Sequence, residues 1–500
     1  MNEQSINNSK LIQLLGSLDG KELKQFEDYL NSPYFNKNQN VVQLFLLLKK
    51  QYPKFVKPLN KKELFVKLFD AKYKKKEPLN SKDDQKLRYV MTQTTNFIQD
   101  FIIDLKSRTK EISRNSLLLE SILERRLYSL YPKVIKQISQ EHNKKPYRDN
   151  IFYKLEHSLQ ESEFHYKQIV DNRNKENGLQ KVVDNFHYYF LSNQLRYFCA
   201  AINRENILAI QYEYPLKEEL VSHLKTNDYS HIPIVDIYFK IMLLLTEDEA
   251  DQNFQLLKAQ VKKAEQRLPE GELRQIYGFM LNFCNRRIKI GKSNYFQEAF
   301  DIYENGINLN IWTAGLYFSI NHFILIIRNA LELGKFEWTN AFINNYQSEL
   351  ESRFQSTIPA FANAYYNFYQ KKYKIAHEYL LRIGPPEDFY YELYYRTLII
   401  QIYYEKSSGG LEDSYESPIN NTIEALRFYV SRNHSEYIKE TYTNFVNLIK
   451  RICRIKFSSQ INPPSEKHLQ KVFQDVQDTK LLVERNWLSE KAAEFIKNSD

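Results

Sequence analysis

The chain has 500 residues, 43% of them hydrophobic, with a formal net charge of +9. Only 12 Gly and 15 Pro accompany 37 Tyr and 32 Phe. Sheet proteins spend turn residues more freely, so the composition excludes a many-stranded sandwich and favours long, rarely interrupted helices.

Cys199, Cys284 and Cys453 lie far apart inside helical patterns. Their spacing excludes a zinc knuckle or a redox pair and predicts buried small hydrophobes in a reducing compartment. No run approaches the about 18 apolar residues of a membrane-spanning helix. The first apolar patch is short and broken by Gln13, too little for a secretory leader. The expected location is cytoplasmic. The charge is unevenly placed: residues 1–110 hold 21 Lys+Arg against 12 Asp+Glu, whereas the rest hold 49 of each. Basicity therefore belongs to an N-terminal helical module, residues 1–110.

In that module "LDGKELKQFEDYL" opens with Asp19 and Glu22 at capping-box spacing, ahead of Leu23, Phe26 and Leu30 on one helical face. Pro33 ends that helix. Tyr34 and Phe35 are expected to fill the corner before the next one, whose stripe is Val41, Leu44, Phe45 and Leu48. Asn60 and Glu63 repeat the capping device. A third helix, about residues 81–106, carries Leu87, Val90, Phe97, Ile98, Phe101 and Leu105 on one face. Taken together, "SPYFNKN", "ELF…LF" and "LRYVM…FI.DF" resemble a family of bacterial proteins, mostly from Bacteroidetes, to which no activity is attached.

Helical patterning continues through residues 111–230, in segments near 113–130, 132–142, 149–172, 179–203 and 205–224. The Asn177-Gly178 and Asn305-Gly306 pairs read as left-handed helix caps. Between 231 and 406, three stretches look alike. Each has an aromatic residue, a small one three positions later and a large one four after that: Phe296/Ala299/Tyr303, Phe336/Thr339/Ile343 and Tyr373/Ala376/Leu380. A small residue flanked by large ones lets the two helices of a hairpin approach closely. The pattern resembles the tetratricopeptide repeat (TPR), at a longer spacing than that family's. The expected fold is all-α: helical-hairpin repeats forming a TPR-like α-solenoid, preceded by the N-terminal module. A Ser/Gly-rich stretch, 405–418, reads as a linker. Helices near 418–431, 435–457, 465–484 and 487–498 then form a C-terminal cap, residues 418–500.

Chemistry-bearing patterns are sparse. "GKS" at Gly291–Ser293 lacks the earlier glycine of a phosphate-cradling loop, since Arg286 stands there. His157 and His165 are eight apart without a metal-binding companion motif. No serine sits in a nucleophile elbow. No catalytic, cofactor or metal residue is expected. The lysine run over 54–76 (Lys54, Lys57, Lys61, Lys62, Lys72, Lys74, Lys75 and Lys76 among its members) would suit non-specific nucleic-acid binding, because lysine neutralises phosphate without reading bases. The leading expectation is a non-enzymatic scaffold for a protein or peptide partner. The repeat resemblance implies a groove lined by first helices, with Asn321, Arg328, Tyr365 and Tyr369 meeting that partner.

Overall fold

A computed structural model describes residues 6–53, 55, 60–69, 79–109, 111–170, 177–205, 210–246, 250–313, 317–386, 388–407, 415–432, 435–458 and 464–497. Among these residues there are 23 α-helices and no strand, only an isolated bridge between Thr313 and Phe318. The chain is all-α. No described helix is long and apolar enough to cross a membrane. It divides into two compact units, Met1–Ser139 with Ser162–Lys175, and Gln140–Glu161 with Glu176–Asp500.

The first unit begins with α1 (Lys10–Ser17), α2 (Gly20–Asn31), α3 (Gln39–Lys49), α4 (Lys61–Phe69), α5 (Ser81–Thr109) and α6 (Glu111–Glu124). Asp19 accepts from the backbone N–H groups of Lys21 and Glu22 at 2.7 Å, and Glu22 accepts from Asp19 N–H at 2.9 Å. That closed capping box starts α2 where the sequence places it. Its apolar stripe then buries Leu23, Phe26 and Leu30. Phe26 meets Phe45 edge-on and Phe101 at a tilt, each at 5.2 Å between ring centres. Burial of each such ring contributes roughly 1.5–3 kcal/mol. The corner after α2 differs from expectation. Tyr34 is 86% exposed, and Phe35 stacks on Tyr29 near the surface. Asn36 is the buried residue there, donating to the carbonyls of Leu30 and Asn38. An amide can satisfy a carbonyl freed where α2 ends, which an aromatic ring cannot.

Two helices, α7 (Tyr131–Lys144) and α8 (Asn150–Val170), contribute residues to both units. Then follow α9 (Leu179–Glu205), α10 (Lys217–Thr226), α11 (Pro233–Thr246), α12 (Ala250–Ala264), α13 (Glu270–Lys289) and α14 (Tyr295–Asn308). Next come α15 (Ile320–Glu332), α16 (Phe336–Tyr346), α17 (Thr357–Tyr369), α18 (Tyr373–Ile383) and α19 (Phe389–Lys406). The last are α20 (Glu416–Ser431), α21 (Glu436–Ser458), α22 (Glu466–Asp478) and α23 (Arg485–Lys497).

In the second unit, neighbours in sequence pack together: α13 with α14, α15 with α16, α17 with α18, α19 with α20. Alternate helices also touch, α9 with α11, α11 with α13, α15 with α17 and α17 with α19. The three small residues singled out in the sequence, Ala299, Thr339 and Ala376, are fully buried on α14, α16 and α18. The three cysteines are buried and free.

Several sequence expectations are corrected here. Of the segment expected as a helix over 205–224, residues 210–216 are not helical, and α10 starts at Lys217 after Pro215 and a left-handed Leu216. Gly178 does adopt the left-handed region, immediately before α9. Gly306 does not: it lies inside α14, and the left-handed residue is Asn310. Gly306 is instead a close-approach site, because a Cβ there would stand 2.2 Å from Trp312 Nε1. That indole N–H donates to the Tyr303 carbonyl at 2.9 Å. Two other tryptophans also sit in this unit. Trp338 stacks on Phe342, and Trp487 donates to Glu405 at 2.7 Å. Finally, the helix expected over 465–484 stops at Asp478, which frees Thr479–Glu484 for the role described next.

Candidate functional site

The second unit holds a half-open cavity of about 390 Å³. Its walls come from α13 (Asn282, Asn285, Arg286, Lys289), α15 (Asn321, Arg328, Asn329, Glu332), α19 (Tyr390, Leu393, Tyr394) and α21 (Tyr437, Ile438, Tyr442). Part of the lining is Leu482–Asn486, the end of the turn after α22 together with the first two residues of α23.

That turn is anchored from several sides. Leu482 N–H donates to the Lys289 carbonyl at 3.3 Å, and Asn444 donates to the Leu481 carbonyl at 3.0 Å. Glu484 holds a left-handed backbone, φ +54, which an L residue adopts only when its surroundings enforce it. Its carboxylate, 4% exposed, pairs with Arg328 and also accepts from Gln401 at 3.3 Å. Arg485 donates to the carbonyls of Val476, Gln477, Thr479 and Lys289. Asn486 donates to Glu332 at 2.8 Å, and Tyr369 donates to the other oxygen of that carboxylate.

The electrostatics are unusual for a helix–helix interface. Arg328 lies over the rings of Tyr394 and Tyr365, at 4.7 and 5.3 Å, and its Nε is buried with no hydrogen-bond partner among the described residues. Burial pushes Glu332 above the ordinary carboxylate range. Desolvation, with the nearby charge of Arg328, pushes Lys289 down to about 8. Desolvation also lowers Arg286. Cations held below their usual range in a cavity mark a candidate binding site.

No family model, no curated protein and no solved structure matches the chain. What the site can do therefore rests on its own residues.

The four groove residues anticipated from sequence are all in this region, in different roles. Asn321 is exposed and lines the cavity. Arg328 lines it while paired to Glu484. Tyr365 is 2% exposed beneath Arg328, and Tyr369 is turned onto Glu332, so both brace the wall. Of the lysine patch, Lys54, Lys57, Lys72, Lys74, Lys75 and Lys76 lie outside the described residues. Lys61 pairs with Asp84 at 3.2 Å, and Lys62 N–H donates to Asn60. At "GKS", Gly291 turns the chain left-handed after α13, while Lys292 pairs with Asp251.

Sequence reasoning missed Arg286, Lys289 and Glu484. A signal existed for the first two: they stand three apart in "NRRIK" and so share one face of α13. Nothing local marks Glu484, since its place depends on where α22 stops.

Proposed function

We propose that this protein is a non-enzymatic helical-repeat scaffold. On this reading the hairpins from α13 to α20 stack in a TPR-like manner, and the cavity receives a segment of a protein or peptide partner. One observation carries the reading: one wall of the cavity is itself a chain segment docked against helices far away in sequence. The chain's own Leu482–Asn486 is held there through backbone carbonyls, an ion pair and an amide–carboxylate hydrogen bond. Contacts of the same kinds let a helical surface hold a segment of a partner. The remaining wall offers tyrosines and asparagines, which combine contact area with polar tips. Clusters of three or more potential metal-ligating side chains are absent among the described residues.

The test is affinity capture with the full chain and with the double variant Asn321→Ala/Tyr390→Ala. Both side chains reach the cavity and are partly exposed, so their loss should spare the fold. A partner held by the wild type should bind at least about ten-fold more weakly to the variant, a difference of about 1.4 kcal/mol. Equal capture by two proteins of identical circular dichroism would place the partner elsewhere.

A further inference from the structure

Four cations line the cavity: Arg286, Lys289, Arg328 and Arg485. Two are accounted for. Arg328 carries Glu484, and Arg485 is spent on four backbone carbonyls. The side chains of Arg286 and Lys289 make no hydrogen bond and no ion pair among the described residues; the Lys289 ammonium only stands 4.6 Å from the Tyr437 ring centre. The lining carboxylates are Glu332 and Glu484, and both are already engaged. Two positive charges are thus left partly buried in the cavity without a counter-charge among the described residues. Such charges are strongly unfavourable unless something pairs with them.

We propose that Arg286 and Lys289 form a receptor for a phosphate monoester dianion carried by the ligand of this cavity. The proposal rests on the cavity being the partner's site. A carboxylate, or the diester of a nucleic-acid backbone, brings a single charge and leaves one cation unpaired. A phosphate monoester brings close to two, with three acceptor oxygens. Its geometry suits a guanidinium fork beside a lysine point charge. Asn285 and Asn321, whose amides make no hydrogen bond among the described residues, line the same space and add donors. The volume is that of a small-ligand pocket, enough for a phosphorylated side chain or a small organic phosphate.

The experiment is calorimetric titration of the full chain with phenyl phosphate, with benzoate, and with the peptide acetyl-Gly-Gly-phosphotyrosine-Gly-Gly-amide. Phenyl phosphate is expected to bind at least about ten-fold tighter than benzoate. Arg286→Gln/Lys289→Gln should lose that affinity and Lys289→Arg should keep it. Raising the pH from about 7 to about 9 should weaken binding as Lys289 loses its proton, since the monoester stays dianionic above its second pKa of about 6. Other charged groups also face Lys289. They are Arg286 on its own helix, Arg328 and Glu332 from α15, and Glu484 and Arg485 from the turn. Tyr394, Tyr437 and Tyr442 from α19 and α21 are pushed upward by burial. Tighter binding of the phosphopeptide than of phenyl phosphate assigns the group to a peptide; equal binding assigns it to a small organic phosphate. Equal affinity for benzoate, or phosphate binding untouched by the double Gln variant, overturns the proposal. If phenyl phosphate fails to bind while Asn321→Ala/Tyr390→Ala still loses a captured partner, the dianion falls and the scaffold reading stands.

Discussion

The two units treat polar groups in opposite ways. In the first, the interior around Phe26, Phe45 and Phe101 is apolar, and charges such as Asp19 and Glu22 work at the helix ends, where they satisfy free N–H groups. In the second, the interface between α13, α15, α19 and α21 brings four cations and two carboxylates inside, and strained backbone at Glu484 helps to hold them. An interior built for stability has no use for unpaired Arg286 and Lys289. Departures from local consistency of this kind mark a candidate functional site.

Three substitutions test that contrast, in order of expected effect. Phe26→Ala removes a fully buried ring from the first unit and should cost about 3–5 kcal/mol in denaturant unfolding. It should leave titrations at the cavity unchanged; a change there would break the contrast. Gly306→Ala drives a methyl into Trp312, and overpacking of this kind costs about 1–3 kcal/mol. A neutral result would mean that the indole moves aside freely. Lys289→Met should act in the opposite direction, stabilising the unliganded protein by on the order of 1 kcal/mol at pH 7. The sign follows from its folded pKa of about 8 lying below the ordinary 10.5. Between those values the unfolded chain holds the extra proton, so wild-type stability should climb with pH through that window. The Met variant should lack the climb. A destabilised Lys289→Met would show that the ammonium is structural.

Much of the helical fold was legible because its signals are local. Asp19 with Glu22 and the stripe from Leu87 to Leu105 each specify a helix from spacing alone. The small residues at 299, 339 and 376 are buried on the helices expected to carry them. The errors have a common cause. Tyr34 and Phe35 look like a plug by hydrophobicity, yet the corner needed an amide for two carbonyls, which Asn36 supplies. Gly306 looks like a cap beside Asn305, but its purpose is set by Trp312 packing onto it from beyond the helix. The candidate site was legible only as a region. Arg328 and Asn321 were found, whereas the free pair on α13 and the Glu484 turn become visible only once distant helices share one cavity.

All three tryptophans of the chain, Trp312, Trp338 and Trp487, fall in the second unit. Indole emission therefore watches that unit alone, while far-ultraviolet dichroism reports both, so the two spectra separate one melting event from the other. Trp487 stands directly after Asn486 and is tied to Glu405, which makes its emission a label-free gauge of whether the turn at Glu484 is seated.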